Sequence, residues 1–498
     1  MLLGIQNNFP PLTILSKEQV SEIHQATLKV LEQTGVRVLS QQAVDILKDR
    51  KCKIESNKAF LHPELVEDAL KKCPSSFTWH SVYPDSKKHI KLEPGRVNYT
   101  ISHSPTHVID FEGKRRRSTF TDISEMTRLG DALEMVHLGG SGLSGTVEEI
   151  DQRMDLITAA AYRFVYEVQN TDKPLFIPPS GGTPEDAFEF FYLFREDHED
   201  LQRRPSTWAW VNTVSPLMHN ETMTDYALGF AMFGLPVLCC PEVMAHATGP
   251  TTLGGALVQH NAEVLSLLTM CQLANESYGI APPPPIVYGT ASSILDPRTA
   301  QITLGAPEAG LMNVLTAQMA RHYNLPTRGT AGCTDSKALD AQAGQESTMN
   351  VLLASMAGVN LIVNAIGGLG PGIQAVSYAT MIFNNESLKA ISRVLRGIEI
   401  SDEALALDVI HKVGPGGEYL SHPHTLKHFR SEFFIPKLFD RTDYDIFEKS
   451  EKQDILARAN EIAHEILESH HPPELDKGIV QRLEEILKSI HRKYVSEK

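Results

Sequence analysis

The chain of 498 residues lacks the features that mark membrane, secreted and nucleic-acid-binding proteins. It has no run of about 18 apolar residues, and its start, MLLGIQNNFPPLTILSKEQ, has neither the basic nor the long apolar part of a signal peptide. A net charge of −15 argues against nonspecific nucleic-acid binding, which depends on positive charge. The six cysteines are scattered without a CxxC pair, as is typical of reduced thiols. These absences predict a cytoplasmic protein with no membrane or nucleic-acid partner.

The common nucleotide and hydrolase motifs are also missing. GGLGPG (367–372) is rich in glycine but lacks the lysine of a P-loop and the GxGxxG spacing, and no GxSxG elbow occurs. The segment SHPHTLKHF places His422, His424 and His428 at a spacing that zinc accepts, but no cysteine or acidic residue accompanies them closely. We therefore expect no metal site. A zinc hydrolase remains an alternative that metal analysis of the purified protein would test.

Apolar runs that alternate with helical stretches dominate the middle of the chain. Such alternation predicts βαβ units and a parallel sheet, and eight runs predict a (β/α)8 TIM barrel over residues 95–390. A helical N-terminal segment (1–94) and a helical C-terminal region (391–498) flank it. The first run is also consistent with an outer hairpin, which would leave seven barrel strands. The runs cover residues 96–102, 135–142, 174–180, 206–214, 236–242, 285–291, 325–332 and 360–368.

One strand-to-helix turn is crowded with polar residues. The stretch PTRGTAGCTDSKALDAQAGQE (326–346) contains Thr334, Asp335, Lys337 and Glu346, and Arg328 lies in the run just before them. In a barrel the carboxyl ends of the strands carry the active site, so we expect this turn to line a pocket. Asp335 or Ser336 acting only as a helix cap is the simpler alternative.

Aromatic residues gather near other predicted strand ends. Two of the three tryptophans, Trp208 and Trp210, share one strand face with Asn212 in TWAWVN. Aromatic faces attract quaternary ammonium groups, although large rings also simply fill barrel cores. The aromatic candidates for a cation pocket are Tyr99, His103, Trp208, Trp210 and Tyr288.

Several stretches together resemble the trimethylamine methyltransferase family over essentially the whole chain. The archaeal trimethylamine enzymes of that family carry pyrrolysine in or near the segment that matches AGCTDSK, whereas this chain has standard residues throughout. It therefore resembles the non-pyrrolysine branch, the glycine betaine:corrinoid methyltransferases. The matching stretches are LEQTGVRVLS, MAHATGPTTLGGALVQHNAEVLS, YGTASSILDPRTAQITLGAPEAGLMN, RGTAGCTDSKALDAQAGQES, NLIVNAIGGLG and GGEYLSHPHTLKHFRSEFFIPKLFDR.

The resemblance implies an enzyme with a TIM barrel that moves a methyl group from a quaternary amine to the Co(I) corrinoid of a partner protein. It implies no tightly bound cofactor, and we expect a homo-oligomer. Glycine betaine is the default substrate; proline betaine, carnitine, γ-butyrobetaine and a non-catalytic betaine-binding barrel stay open. We expect catalytic residues at Thr334, Asp335, Lys337 and Glu346, and substrate contacts at Tyr99, His103, Trp208, Trp210, Tyr288 and Arg328.

Overall fold

The computed structural model describes residues 1–83, 85–103, 105–144, 148, 156–176, 183–450 and 454–495. The β-strands of these residues, most of them short, are β1 (Ile5–Gln6), β2 (Val36–Val38), β3 (Lys53–Glu55), β4 (Lys58–Phe60), β5 (Phe77–His80), β6 (His89–Leu92), β7 (Arg96–Ile101), β8 (His107–Ile109), β9 (Arg115–Arg117), β10 (Ala209–Val211), β11 (Met218–His219), β12 (Val237–Cys239), β13 (Met244–Ala245), β14 (Ile286–Gly289), β15 (Ser293–Leu295), β16 (Ile302–Thr303), β17 (Thr327–Thr330), β18 (Leu361–Ile366), β19 (Gly368–Leu369) and β20 (Ala375–Ser377).

Helices follow most of the strands of the central sheet. A π-helix (Val30–Thr34) directly follows the first α-helix of the chain, which ends at Lys29. The α-helices are α1 (Lys17–Lys29), α2 (Gln41–Asp49), α3 (Pro63–Lys72), α4 (Phe120–Ala132), α5 (Leu156–Val168), α6 (Pro184–Phe191), α7 (His198–Arg203), α8 (Glu221–Met232), α9 (Leu253–Tyr278), α10 (Pro307–His322), α11 (Ala341–Met356), α12 (Tyr378–Arg396), α13 (Asp402–Leu405), α14 (Leu407–Val413), α15 (Pro423–Glu432), α16 (Tyr444–Lys449), α17 (Ile455–Ser469) and α18 (Lys477–Val495).

The central sheet runs in the order β1-β7-β18-β17-β14-β12-β10, with β1 antiparallel and every other pair parallel. Six of the eight predicted runs are therefore strands of one parallel sheet. The first run, β7, lies inside this sheet, so the outer-hairpin alternative was wrong. The fold is α/β, with helices between successive parallel strands, as such connections require.

Two isolated parallel bridges continue the sheet beyond β7. Thr100 pairs with Leu138, and Gly139 pairs with Leu175, so the second and third predicted runs also lie beside it. Within the described residues no bridge joins Leu175 to β10, and residues 177–180 of the third run lie outside them. A closed barrel is thus not established by strand pairing.

Side chains of the sheet alternate between an inner apolar cluster and the clusters that pack against the helices. Val287 belongs to an inner cluster, whereas Ile286 and Tyr288 on either side of it pack against the helices. This period of two is that of a strand with both faces buried. The inner cluster also contains Leu138, Phe176, Trp208, Leu238 and Val363.

The N-terminal segment is less helical than its sequence suggested. It contains α1 to α3, but also the short strands β2 to β6, because the apolar residues of VRV, KAF and FTWH alternate too briefly to show a strand period. Trp79 of β5 packs on Trp208 with 4.3 Å between ring centroids. The hairpin of β5 and β6 therefore contributes to the inner cluster. Among the described residues no helix is long and apolar enough to span a membrane.

Candidate functional site

Polar and aromatic side chains meet where the parallel strands end. Arg328 lies on β17, Trp210 lies on β10, and Asn212 and Glu242 follow β10 and β12 within three residues. The carboxyl ends of parallel strands in one sheet face the same edge, so these side chains converge. We refer to this group, together with His103, Phe176 and Trp208, as the strand-end cluster.

Arg328 is a buried cation at the centre of the strand-end cluster, with 2% of its surface exposed. Its Nη1 donates to the carbonyl oxygen of Thr290 at 2.5 Å and to Thr330 Oγ1 at 2.6 Å, and contacts Cys240 Sγ at 3.1 Å. The guanidinium carbon lies 5.6 Å from the Trp210 ring centroid. No carboxylate of the described residues forms a salt bridge with it, so its charge is available to an anion.

Phe176 joins the aromatic residues of the cluster. Its ring stacks on His103 at 4.3 Å and meets Trp208 and Trp210 edge-on at 5.3 and 5.1 Å. Trp208 is fully buried, whereas Trp210, two residues further along the same face, is half-buried. Trp210 therefore presents the ring that a ligand at the strand ends would meet.

A hydrogen-bonded chain connects Trp210 to a carboxylate. Trp210 Nε1 donates to Asn212 Oδ1 at 2.8 Å, and Asn212 Nδ2 donates to Glu242 Oε1 at 2.9 Å. Glu242 is solvent-accessible, yet desolvation raises its pKa, while the charge of Arg328 acts in the opposite direction. Glu242 thus places a carboxylate near an indole ring, which suits a cation.

Three buried nitrogen atoms of the cluster have no hydrogen-bond partner among the described residues: His103 Nε2, Trp208 Nε1 and Arg328 Nε. Unpaired buried polar groups are costly, and native proteins contain few of them. At least two of these nitrogens, those of Trp208 and Arg328, can only donate. The cluster therefore has spare donors that an acceptor such as a carboxylate would satisfy.

The backbone of His103 is held by the side chain of Asn364 on the neighbouring strand β18. Its N–H donates to Asn364 Oδ1 at 2.7 Å, and Asn364 itself has a left-handed φ of 67°. Burial, followed by the positive charges of Arg163 and Arg328, keeps the pKa of His103 well below its ordinary value. The imidazole is thus neutral, and it packs as a ring beside Phe176.

The polar turn after β17 begins with a close backbone approach. Gly332 has φ 89°, and a Cβ there would lie 2.6 Å from the Cα of Ala365, so only glycine fits. Beyond it, Glu346 Oε2 accepts from Thr334 Oγ1 at 2.7 Å and from the Asp335 N–H at 2.8 Å. Glu346, on α11, therefore fixes the turn that leads away from the strand.

Asp335 is the perturbed carboxyl group of this turn. Desolvation and then the charge of Glu346 raise its pKa to about 6, although N–H groups of Gly305 and Leu304 act against the shift. Its Oδ1 is buried without a partner among the described residues. Ser336 and Asp335 do not cap α11; that position belongs to Asp340, whose side chain accepts from the Ala343 N–H. The capping alternative for Asp335 and Ser336 was wrong.

Six of the ten expected site residues are not part of the strand-end cluster. Thr334, Asp335 and Lys337 belong to the turn after β17, Glu346 lies on α11, and Tyr99 and Tyr288 face the helices. The Tyr99 hydroxyl is within 2.9 Å of Ser355 Oγ on α11, and the Tyr288 hydroxyl donates to Asn261 Oδ1 on α9. Both rings face the helices because they occupy outward positions of β7 and β14. They therefore do not line a cation pocket at the strand-end cluster. Lys337 is exposed at the surface of the turn.

The histidine segment lies on and just before α15. The rings of His424 and His428 are 4.4 Å apart, and His428 Nε2 is 3.1 Å from Glu403 Oε1. No group of three or more potential metal-ligating residues occurs in the part of the chain that the structure describes.

Sequence reasoning missed Phe176 and Glu242. Phe176 lies in PLFIPPS, where one aromatic residue in an apolar run gives no signal of its role. Glu242 follows PVLCCP directly and is the first charged residue after that strand, a position at which a parallel sheet exposes functional groups. That signal was available for Glu242.

Comparison with known proteins identifies relatives over the full chain. The family model described as trimethylamine methyltransferase (MTTB) matches residues 2–494. A glycine betaine methyltransferase of Desulfitobacterium hafniense (strain Y51) is 31% identical over 477 residues, covering 95% of this chain and 96% of the relative. A trimethylamine methyltransferase MttB of the same species (strain DSM 10664 / DCB-2) is 32% identical over 483 residues, covering 96% of this chain and 94% of the relative.

Two further similarities are more distant. Trimethylamine methyltransferase MttB2 of Methanosarcina mazei is 28% identical and covers 97% of this chain and 96% of the relative. The crystal structure of the Methanosarcina barkeri monomethylamine methyltransferase (MtmB) matches 90% of this chain and 92% of its own, with 10% identity and a TM-score of 0.46. The chain therefore belongs to the trimethylamine methyltransferase family, and the family and enzyme class expected from its sequence are confirmed.

Proposed function

We propose that this enzyme transfers a methyl group from a carboxylate-bearing quaternary amine, glycine betaine by preference, to the Co(I) corrinoid of a partner protein. The observation that carries the proposal is the pairing of opposite charges in the strand-end cluster. Arg328 supplies a buried cation, while Glu242 and the ring of Trp210 supply an attraction for a cation. A betaine carries both complementary charges within one small molecule.

The chemistry requires little more from the protein than binding and orientation. A quaternary amine releases a neutral tertiary amine when its methyl group is attacked, so no general base is needed. Co(I) is a strong nucleophile, and the methyl carbon, nitrogen and cobalt must lie in line. In this proposal Trp210 and Phe176 hold the methyl groups, Glu242 offsets the positive charge, and Arg328 fixes the carboxylate. The rings also exclude water from the reacting methyl group.

The turn after β17 has a supporting part in the proposal. Glu346 fixes its backbone by accepting from Thr334 Oγ1 and from the Asp335 N–H. In this proposal Asp335 adds a second carboxyl group near the substrate. Too many full charges around the cation would stabilise the bound substrate more than the transition state. An Asp335 with a pKa of about 6 can lose or keep its proton near neutrality, which limits that effect.

A closed (β/α)8 barrel belongs to the same proposal. Six parallel strands and two bridged runs account for eight positions around an inner cluster. In that arrangement the hairpin of β5 and β6 covers the amino end, and the strand-end cluster occupies the mouth where a corrinoid would enter. A cytoplasmic location completes the proposal.

The proposal is tested by anaerobic mixing of the enzyme with a reduced cognate corrinoid protein and a panel of amines. Loss of the Co(I) absorbance should follow addition of glycine betaine, with dimethylglycine as the second product. Trimethylamine should react poorly, because it has no carboxylate for Arg328. Turnover of trimethylamine without turnover of any betaine would refute the substrate, and turnover without corrinoid would refute the mechanism. Tight binding of betaine without transfer would identify a binding protein instead.

A further inference from the structure

Glu263 is a fully buried carboxylate on α9 that lies outside the strand-end cluster. Its Oε2 accepts from Thr213 Oγ1 and from Ser215 Oγ, the latter at 2.8 Å. Its Oε1 accepts from the Leu217 N–H at 2.9 Å and from Gln259 Nε2 at 3.1 Å. A carboxylate accepts about four hydrogen bonds and donates none. These four donors therefore fill its capacity and join α9 to the loop after β10.

That loop continues directly from the candidate site. Three of the four donors to Glu263 lie within residues 213–217, which begin immediately after Asn212. Leu217 has a left-handed φ of 54°, a conformation that residues other than glycine adopt only where their surroundings impose it. Its N–H is one of the donors. Glu263 therefore fixes the path on which the chain leaves Trp210.

A second connection from α9 reaches the loop after β12. Gln259 lies one turn before Glu263, and its Nε2 also donates to the carbonyl oxygen of Thr248 at 2.9 Å. Thr248 Oγ1 accepts from the Met244 N–H at 2.9 Å and donates to the carbonyl oxygen of Glu242 at 3.4 Å. The loop that carries Glu242 is thus tied to the same position on α9.

These contacts close into one ring of hydrogen bonds. On the side of the site, Asn212 Nδ2 donates to Glu242 Oε1. On the side of the helix, Gln259 and Glu263 join the same two loops. The loops follow β10 and β12, which are neighbouring parallel strands. Because a fully satisfied polar network is rigid, the ring sets the distance between the Trp210 indole and the Glu242 carboxylate.

We propose that Glu263 is a positioning residue for the amine substrate, which holds Trp210 and Asn212 in place against Glu242. It acts through hydrogen bonds to the loop after β10 and touches neither substrate nor corrinoid. The part of this inference that concerns the amine rests on the proposed function. The position of the Trp210 ring does not, and it is measurable without substrate.

Two substitutions of Glu263 separate its geometry from its charge. Glu263→Ala removes all four hydrogen bonds. Glu263→Gln removes the charge but keeps the bonds, since its oxygen accepts from Leu217 and Gln259 and its amide donates to the hydroxyl oxygens of Thr213 and Ser215. KM for glycine betaine should rise roughly 2- to 30-fold in the alanine variant, the range of one lost cation–π contact, and stay near the wild-type value in the glutamine variant. Poorer folding alone would lower kcat and leave KM unchanged, because KM does not depend on the amount of active enzyme.

The position of Trp210 is followed by NMR of the enzyme with ¹⁵N-labelled tryptophan, without substrate or corrinoid. The chain has three tryptophans, and Trp210→Phe identifies the Trp210 indole signal. That signal should shift in Glu263→Ala but not in Glu263→Gln, whereas the signal of Trp79 should stay in both. Gln272→Ala is the matched control, because Gln272 is also buried on α9 and donates to the carbonyl oxygen of Pro284 at 3.0 Å, roughly two and a half turns further along. It should change neither KM nor the Trp210 signal.

An equal rise of KM in the glutamine and alanine variants would assign the effect to charge and overturn the positioning role. A Glu263→Ala enzyme with the wild-type KM and Trp210 signal would overturn it as well. If Glu263→Ala does not fold, Thr213→Val removes one donor while keeping the side-chain shape, and it should shift the Trp210 signal by a smaller amount; an unshifted signal would refute the inference. A wild type that does not use glycine betaine would refute the proposed function, whereas the Trp210 signal would still decide whether Glu263 positions the ring.

Discussion

Replacing Arg328 by methionine should abolish the proposed preference for carboxylate-bearing amines. Methionine keeps much of the length of the side chain but removes the charge and the donors. In the wild type the guanidinium group is buried, and its Nη1 donates to the Thr290 carbonyl oxygen and to Thr330 Oγ1. Its Nε has no hydrogen-bond partner among the described residues. A bound carboxylate would therefore meet a desolvated, fixed cation.

The size of the effect follows from that environment. A hydrogen bond to a charged group contributes about 1.5–3 kcal/mol. Because each 1.36 kcal/mol is a factor of ten, kcat/KM for glycine betaine should fall roughly 10- to 150-fold. The structural cost is contained, since the Thr290 carbonyl oxygen still accepts from Thr330 Oγ1 at 3.1 Å. Choline has the same cationic group and no carboxylate, so kcat/KM for choline should fall much less.

The assay measures kcat/KM for glycine betaine and for choline, in wild type and variant, by recording the loss of Co(I) absorbance. Arg321→Met is the matched control, because Arg321 also donates to backbone carbonyl groups, those of Ala357 and Leu12, but lies at the far end of α10. The control should retain the preference. An Arg328→Met enzyme that still prefers glycine betaine to choline by the wild-type ratio would refute the role of Arg328.

Three further predictions concern neighbouring groups. Trp210→Ala should raise KM for glycine betaine roughly 2- to 30-fold, since a cation–π contact contributes about 0.5–2 kcal/mol, and Trp210→Phe should restore much of the loss; an unchanged KM would contradict the ring contact. A raised folded-state pKa means that Asp335 favours the folded state at low pH, so its contribution to the free energy of unfolding should decline as pH rises from about 4 to about 6. Urea unfolding of Asp335→Asn should lack that decline, and a difference from wild type that is independent of pH would contradict it. Glu346→Gln should lower the pKa of Asp335 by removing a nearby negative charge, as NMR titration can measure; a pKa that stays at about 6 would contradict the coupling.

The parallel sheet was predictable because each of its strands has a local signature. Runs such as PIVYGTA and NLIVNAIGG are apolar on both faces, as buried parallel strands are, and helical patterns separate them. The short strands of the N-terminal segment were not predictable, since two to four residues do not establish a period. Their pairing depends on partners far away in the sequence, as with β2 and β11.

The same limit explains the outcome at the candidate site. Arg328 and Trp210 occupy inward positions of their strands, and Trp208 lies directly before β10 on the same face as Trp210. The spacing of two residues between the tryptophans indicated that shared face. Tyr99 and Tyr288 occupy outward positions of strands buried on both sides, where composition does not distinguish the two faces. Because both faces of these strands are buried, an aromatic residue does not by itself indicate whether its side chain points towards the inner cluster or towards the helices.

The most direct test of this account is the structure of the enzyme with glycine betaine bound and no corrinoid present. The account predicts the ammonium group within about 6 Å of the Trp210 ring, the reach of a cation–π contact, with the Glu242 carboxylate beside it and the substrate carboxylate on Arg328. Glycine betaine bound outside the strand-end cluster, or bound there with its carboxylate directed away from Arg328, would contradict the account.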